Sequence, residues 1–250
     1  MSMAEKLDDA PRAETLHTEE RLRQEFNEWA SDGRGEKMES DHSYIALRTM
    51  AIMDLKPGER VLDLSCGSGW ATRLLARAVA GTSGDGEEGS AVGVDISDEM
   101  VRRARAASKE QPNALFSCGA ASHIPWRGGY FDKALSIEAF YYYPDQPAVL
   151  RELWRVTQPD ASIYLLINLY SDNPYSLRWV DELKVPVQVH SGQEYLEMLR
   201  EAGFSHAEAR HIPDLTPTPE HYHGRWFADA AEMREFKRIG SLLLIGSKAK

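Results

Sequence analysis

The stretch Arg60-Val61-Leu62-Asp63-Leu64-Ser65-Cys66-Gly67-Ser68-Gly69-Trp70 decides how this chain is read. Val61, Leu62 and Leu64 form a short apolar run, the mark of a buried strand. A tight turn of small residues follows, Ser65-x-Gly67-x-Gly69, and residues 71–79 then carry apolar side chains at helical spacing. Strand, glycine turn and helix in this order open a nucleotide-binding α/β unit.

Two residues narrow the nucleotide. A dinucleotide fingerprint ends in a glycine that lets helix and strand pack closely, and here the large Trp70 takes that place. Asp63 sets a carboxylate beside the turn, which repels a pyrophosphate and attracts an ammonium or a sulfonium. S-adenosylmethionine carries both cations and no phosphate. Residues 61–70 resemble motif I of the class I S-adenosylmethionine-dependent methyltransferases, in the flavour of the small-molecule group that includes the ubiquinone and menaquinone biosynthesis enzymes. Ser65 replaces the first glycine of that motif, and serine is poorly suited to positive φ. The resemblance extends to residue 169 through three further segments. Gly119–Trp126 is similar to the family's G-D-A-x-x-L-P-F, with Ala120 where the family has Asp. Phe131–Phe140 resembles the strand-four segment that begins F-D. Arg151-Glu152-Leu153-Trp154-Arg155-Val156 with Pro159 resembles L-R-E-x-x-R-V-L-K-P-G-G, with Asp160-Ala161 in place of Gly-Gly.

Patterning places further strands at 91–95, 114–118, 133–137, 162–169, 204–212 and 241–247, with helices between most of them. The expected fold class is therefore α/β, a seven-stranded, mostly parallel doubly wound sheet. The resemblance implies the order 3-2-1-4-5-7-6 with strand seven antiparallel. Residues 1–13 read as a flexible N-terminus and 14–250 as one methyltransferase domain. Within it, 14–55 form N-terminal cap helices, with Leu16, Leu22, Phe26 and Trp29 at helical spacing, broken at residues 31–35 and resumed at about 41. Residues 60–169 form the cofactor-binding core. Two segments rich in aromatics and histidines, 170–190 and an insertion before the last strand at 213–240, are expected to cap the substrate side.

Asp95, at the end of strand two, stands where a carboxylate takes ribose hydroxyls in a doubly wound fold. Its other reading is a local cap before Ser97. The resemblance assigns cofactor contacts to Asp63, Ser65, Cys66, Gly67, Gly69, Trp70 and Asp95, puts Ile96 against adenine, and offers the backbone of Ala120 and Ala121 to the ring. It sets Ile137 and Glu138 beside the methionyl part and the methyl group. Of the run Tyr141-Tyr142-Tyr143, at least one tyrosine should face the substrate, although such clusters commonly belong to a core. The catalytic base is unnamed by the sequence; Glu138, His42, Tyr142 and His190 are the candidates. Asn173-Pro174-Tyr175 resembles the catalytic box of amino-methyltransferases but follows the wrong strand, so it reads as a turn opening a helix. His221-x-His223 lacks the spacing and company of a metal site, and no metal is expected.

The chain has 250 residues, 42% of them hydrophobic, and a formal net charge of −10. That balance argues against unaided nucleic-acid binding. No apolar run reaches the ~18 residues of a membrane span, the N-terminus has no signal-peptide pattern, and a cytoplasmic enzyme is expected. The two cysteines, Cys66 and Cys118, are expected to be free. These readings converge on methyl transfer from S-adenosylmethionine to an unidentified acceptor, in the first instance a small molecule. The alternatives are an RNA or protein methyltransferase working with a small activator subunit, and a non-catalytic S-adenosylmethionine-binding module. The resemblance also implies that the uncharged edge strand 114–118 can pair with a small zinc-containing activator protein.

Overall fold

The computed structural model describes residues 3–84 and 86–249. Val61, Leu62 and Leu64 are buried because β1 (Arg60–Leu64) runs through the middle of the sheet, between β2 (Ser90–Asp95) and β4 (Phe131–Ile137). Both neighbours are parallel to it, so both faces of β1 are covered and its sequence is continuously apolar around Asp63. Beyond β2 lies β3 (Ala114–Cys118); beyond β4 lie β5 (Thr157–Ile167), β7 (Ser241–Ser247) and β6 (His206–Ile212). The sheet order is β3-β2-β1-β4-β5-β7-β6, with β7 antiparallel to both neighbours, as the resemblance implied.

Helices α3 (Trp70–Ala78), α4 (Asp98–Ala107), α5 (Gln146–Val156) and α7 (Gly192–Glu201) cover the sheet with strongly amphipathic faces. Their starts are written locally. Ser97 Oγ accepts from the Met100 N–H, Asp145 caps α5 through the Ala148 N–H, and Ser191 with Glu194 forms a reciprocal capping box. Asn173 caps the short α6 (Pro174–Leu177), the turn-to-helix reading of Asn173-Pro174-Tyr175.

Four boundaries differ from expectation. Helix α1 spans Met3–Ser31, so the stretch read as a flexible N-terminus is helical from residue 3, while residues 1 and 2 lie outside the described residues. The polar N-terminal run has no apolar period, but Ala4, Glu5, Lys6, Ala10, Arg12 and Ala13 are good helix formers. Helix α2 (Arg34–Met53) starts directly after Gly33 at φ 72°, so the break between the helices is two residues long. Strand β5 begins at Thr157, and Asp160 sits inside it at φ 64°, the left-handed conformation that the family's glycine would adopt and a short polar side chain tolerates. Strand β6 starts at His206, two residues later than expected.

The segments expected to cap the substrate side meet in an aromatic group around Trp179, which packs on the main core. Trp179 packs on Trp226, Phe227 and Phe236 with ring centroids 5.0–5.9 Å apart, and its indole N–H donates to the Trp226 carbonyl. Helix α8 (Ala230–Ile239), which sequence reading did not foresee, carries the buried Lys237. The Lys237 ammonium donates to the carbonyl and hydroxyl of Thr216 and pairs with Asp214, fastening the proline-rich loop to the helix. Cys66 is buried, Cys118 is exposed, and both are free thiols.

Candidate active site

The carboxyl ends of β1, β2 and β4 converge on one cavity. At the end of β1 the chain turns through Ser65 at φ 61°, Gly67 at φ 52° and Gly69 at φ 75°. The N–H groups of Ser65 and Cys66 both donate to the Val94 carbonyl, so the turn is sewn to β2. The strained Ser65 has its hydroxyl 2.7 Å from the Tyr143 phenol, a partner that a glycine would lack. A Cβ on Gly67 would meet nothing within 4 Å, because that position faces the cavity. A Cβ on Gly69 would stand 2.5 Å from the Phe116 ring, so this glycine serves helix-to-sheet packing.

Asp95 closes the turn from the other side. One carboxylate oxygen accepts from the Gly67 N–H and the other from the Ser97 N–H, both at 2.8 Å. Burial pushes its carboxyl up to about 6, while those backbone donors pull the other way. Asp95 thus makes the local contacts of its second reading, organising the loop before α4, and it also lines the cavity.

The cavity opens to solvent at its mouth and is walled mainly by apolar side chains. Ser65, Gly67 and Asp95 lie at its centre. Ile96, Met100, Gly119, Ala121, Ser122 and Glu19 line the end towards β3. Ile137, Glu138, Ala139 and Tyr142 line the end towards β4. The roof comes from the N-terminal helices, through Leu22, Phe26, Trp29 and Met38. Phe26, Trp29 and Tyr142 meet edge to face with centroids 5.2–6.3 Å apart. Asn27 holds this roof to the loop after β2: its Oδ1 accepts from the Ser97 hydroxyl at 2.5 Å, and its Nδ2 donates to Asp98 at 3.0 Å.

Glu138 is the unusual group. It is 5% exposed, its φ is 55°, and among the described residues its Oε1 has no partner at full hydrogen-bond geometry, with Asn168 its further polar neighbour. Its Oε2 accepts from the Tyr141 phenol at 3.1 Å and lies 3.9 Å from His42 Nε2. Burial raises the Glu138 carboxyl above the ordinary range, and the nearby His42 partly offsets this. His42 Nδ1 lies 3.0 Å from the Met38 carbonyl, which can only accept, so Nδ1 carries the proton and Nε2 faces Glu138.

Comparison with known proteins fits this geometry. Residues 62–165 match the family model described as a methyltransferase domain. The fold superposes with a TM-score of 0.81 on the methyltransferase solved in complex with the Haloferax volcanii Trm112 methyltransferase activator. The two are 32% identical over 90% of this chain and 98% of that one. The chain belongs to the S-adenosylmethionine-dependent methyltransferases. This methyltransferase is also 28% identical to the demethylmenaquinone methyltransferase of Lactococcus lactis, over 82% of this chain and 81% of that protein. It is 32% identical to the 2-phytyl-1,4-naphtoquinone methyltransferase of Synechococcus elongatus, over 59% of this chain and 65% of the relative.

Of the residues expected at the site of this methyltransferase, Ser65, Gly67, Asp95, Ile96, Ala121, Ile137, Glu138 and Tyr142 share the cavity. Asp63, Cys66, Gly69, Trp70 and Ala120 do not line it. Asp63 is turned inward and buried, its Oδ2 accepting from the Thr72 hydroxyl at 2.5 Å; it braces strand against helix. Trp70 opens α3 inside the core, and Cys66 packs beside it. His42 stands behind Glu138. His190 packs against Tyr195, its Nε2 buried without a partner and off the cavity. Neither 170–190 nor 213–240 contributes to the lining: Trp179 packs on Trp226, Phe227 and Phe236, Tyr170 bonds to the Gly240 carbonyl, and His190 packs on Tyr195. Sequence reading missed Glu19 and Met38, while Tyr142 and Tyr143 of the tyrosine run both line the cavity. The amphipathic period of α1 was visible, but not which loops it covers. No helix among the described residues is long and apolar enough to cross a membrane.

Proposed function

We propose that this methyltransferase acts on a small, planar, largely apolar acceptor bearing an ionisable hydroxyl, and that the Glu138–His42 pair takes its proton. S-adenosylmethionine supplies an activated methyl group on a sulfonium. Gly67 and Asp95 would hold its central part, Ile96 and Ala121 its base, and Ile137 the methionyl end. These groups offer what the ligand needs: an open backbone cradle at Gly67, a carboxylate at ribose height and an apolar slot beyond it. The chain's own work is alignment and proton removal. Glu138 would accept the proton that the acceptor gives up on methylation. His42 Nε2 can share that proton and limit the charge left in the apolar compartment.

The observation that carries this reading is a buried carboxylate, paired with Tyr141 and His42, on the wall of a compartment that Phe26, Trp29, Met38 and Tyr142 also line. Such walls suit a ring, and a carboxylate on them suits a ligand O–H. The quinone names of two relatives and the net charge of −10 point the same way. The test uses labelled S-adenosylmethionine with a panel of naphthols and hydroquinones, and with total RNA in parallel. Label should appear in a phenolic acceptor, and Glu138→Gln should lower kcat about 100-fold, the low end for a lost general base, while leaving cofactor affinity unchanged. Label in RNA alone, or an unchanged kcat in the variant, would refute the reading.

A second reading concerns a partner and is compatible with the first. The methyltransferase of the Haloferax volcanii complex is similar to this chain over nearly its whole length. Strand β3 lies at the sheet edge with no charge and no proline, and Leu115 is 42% exposed. We infer that a small activator protein pairs with this edge. An incoming strand would have to displace Arg105, which donates to the Phe116 carbonyl at 2.7 Å. Leu115→Lys should abolish co-purification of such a partner from the native host while leaving thermal stability unchanged; retention of the partner would place it elsewhere.

A further inference from the structure

We propose that Glu19, on the N-terminal helix, is the residue that recognises the 6-amino group of the cofactor's adenine. This rests on the reading of the cavity as the cofactor site and adds to it the group that distinguishes adenine from other purines.

The direction of the ligand follows from the sheet. In a doubly wound fold the nucleotide lies across the carboxyl ends of the strands, with its ribose at the acidic end of the second strand. Asp95 is that end, so the base continues outward towards β3. The wall there is apolar, made by Ile96, Met100 and Ala121. A purine can lie flat in such a slot, but these side chains cannot tell an amino group from an oxo group. The loop after β3 adds no carboxylate of its own, since Ala120 and Ala121 occupy it. The polar side chains at this end of the cavity are Ser122 and Glu19. Ser122 Oγ donates to Glu19 Oε1 at 2.5 Å, which fixes the carboxylate at the rim. The second oxygen, Oε2, has no hydrogen-bond partner among the described residues. A carboxylate is acceptor-only and the adenine 6-amino group is a donor, so the two are matched. A 6-oxo purine would set oxygen against oxygen.

The competing account is that the Glu19–Ser122 bond only clamps α1 onto the loop. The two accounts differ in base selectivity. Isothermal titration of the full chain with S-adenosylhomocysteine and with S-inosylhomocysteine separates them. The parent should bind the adenosyl compound about tenfold more tightly, the factor expected from one matched against one mismatched hydrogen bond. Glu19→Gln should bring the two affinities to within roughly twofold, because an amide can turn its NH2 towards a 6-oxo group. Glu19→Ala should also erase the preference, and Ser122→Ala, which keeps the carboxylate, should retain it. Equal weakening of both compounds in both Glu19 variants, with the ratio preserved, would overturn the proposal in favour of the clamp. A parent that does not discriminate would overturn it as well. Binding of neither compound by the parent would overturn this proposal together with the cofactor-site reading beneath it, a result distinguishable from the other two.

Discussion

Asp63→Asn should make the stability of this protein nearly independent of one buried charge while leaving the cofactor site intact. Asp63 is 2% exposed and its one side-chain partner is Thr72. Burial is the largest influence on its carboxyl and raises it from an ordinary 3.8 to about 7; the Thr72 hydroxyl opposes this, and the charge of Asp95 adds to it. A raised carboxyl means that the folded state holds the proton more tightly than the unfolded chain. Stability from this group is therefore complete below about pH 4 and is lost as pH rises through about 7. A change from 3.8 to about 7, at about 1.36 kcal/mol for each tenfold step, gives a loss on the order of 4 kcal/mol across that window. In the asparagine variant the Thr72 hydroxyl can still donate to Oδ1, but the added NH2 is buried without an acceptor, at about 1–3 kcal/mol. The variant should thus be less stable than the parent at pH 4.5 and as stable or more stable at pH 8. Urea unfolding followed by tryptophan fluorescence at the two pH values measures the crossing. Affinity for S-adenosylhomocysteine should stay within about threefold, less than the tenfold that ~1.4 kcal/mol of lost contact would produce. Parallel stability curves would refute the burial argument, and a tenfold loss of affinity would return Asp63 to the cofactor.

Three further outcomes follow from the site. Asp95→Ala should lower stability at pH 7 by less than the ~2–6 kcal/mol of two orphaned buried N–H groups, because it also relieves a disfavoured charge; its cofactor affinity should fall more than tenfold, and calorimetry with unfolding at one pH checks both. Gly67→Val should keep its fold, since no protein atom opposes its Cβ, yet lose cofactor binding by filling the cradle and straining a φ of 52°; full binding would mean that the cavity is not the site. Asn27→Ala should speed amide hydrogen exchange across α1 more than across the sheet, because Asn27 joins the helix to Ser97 and Asp98; uniform protection would show that the roof is held by packing alone.

The sequence by itself determined the sheet and the centre of the site. The run Val61–Leu64, the capping serines and aspartates and the glycine turn are local signals, acting over a few residues through backbone geometry and burial period, and they reappear as β1, α4, α5 and the Gly67 cradle. Asp95 was legible for the same reason: it follows a strand by position, and position fixes its place at the carboxyl edge. Which of the motif residues face the ligand was not legible. Asp63 and Ser65 are two residues apart, yet one is turned to Thr72 in the core and the other to Tyr143 at the cavity, a difference set by side-chain packing. The roof was legible in part: residues 14–55 were expected to form cap helices, and Leu22, Phe26 and Trp29 line the cavity. Two aromatic-rich segments looked suited to it, but aromatic side chains bury wherever partners lie, and Trp179 found Trp226, Phe227 and Phe236. The helix that does cover the cavity starts in a stretch with no apolar pattern at all, and only the long-range bonds Asn27–Ser97 and Glu19–Ser122 decide where it lies. Contacts between residues 70 to 103 positions apart leave no periodic trace in a sequence, so the tertiary structure alone decided where the roof lies and, with it, the surroundings of Glu19 and Glu138.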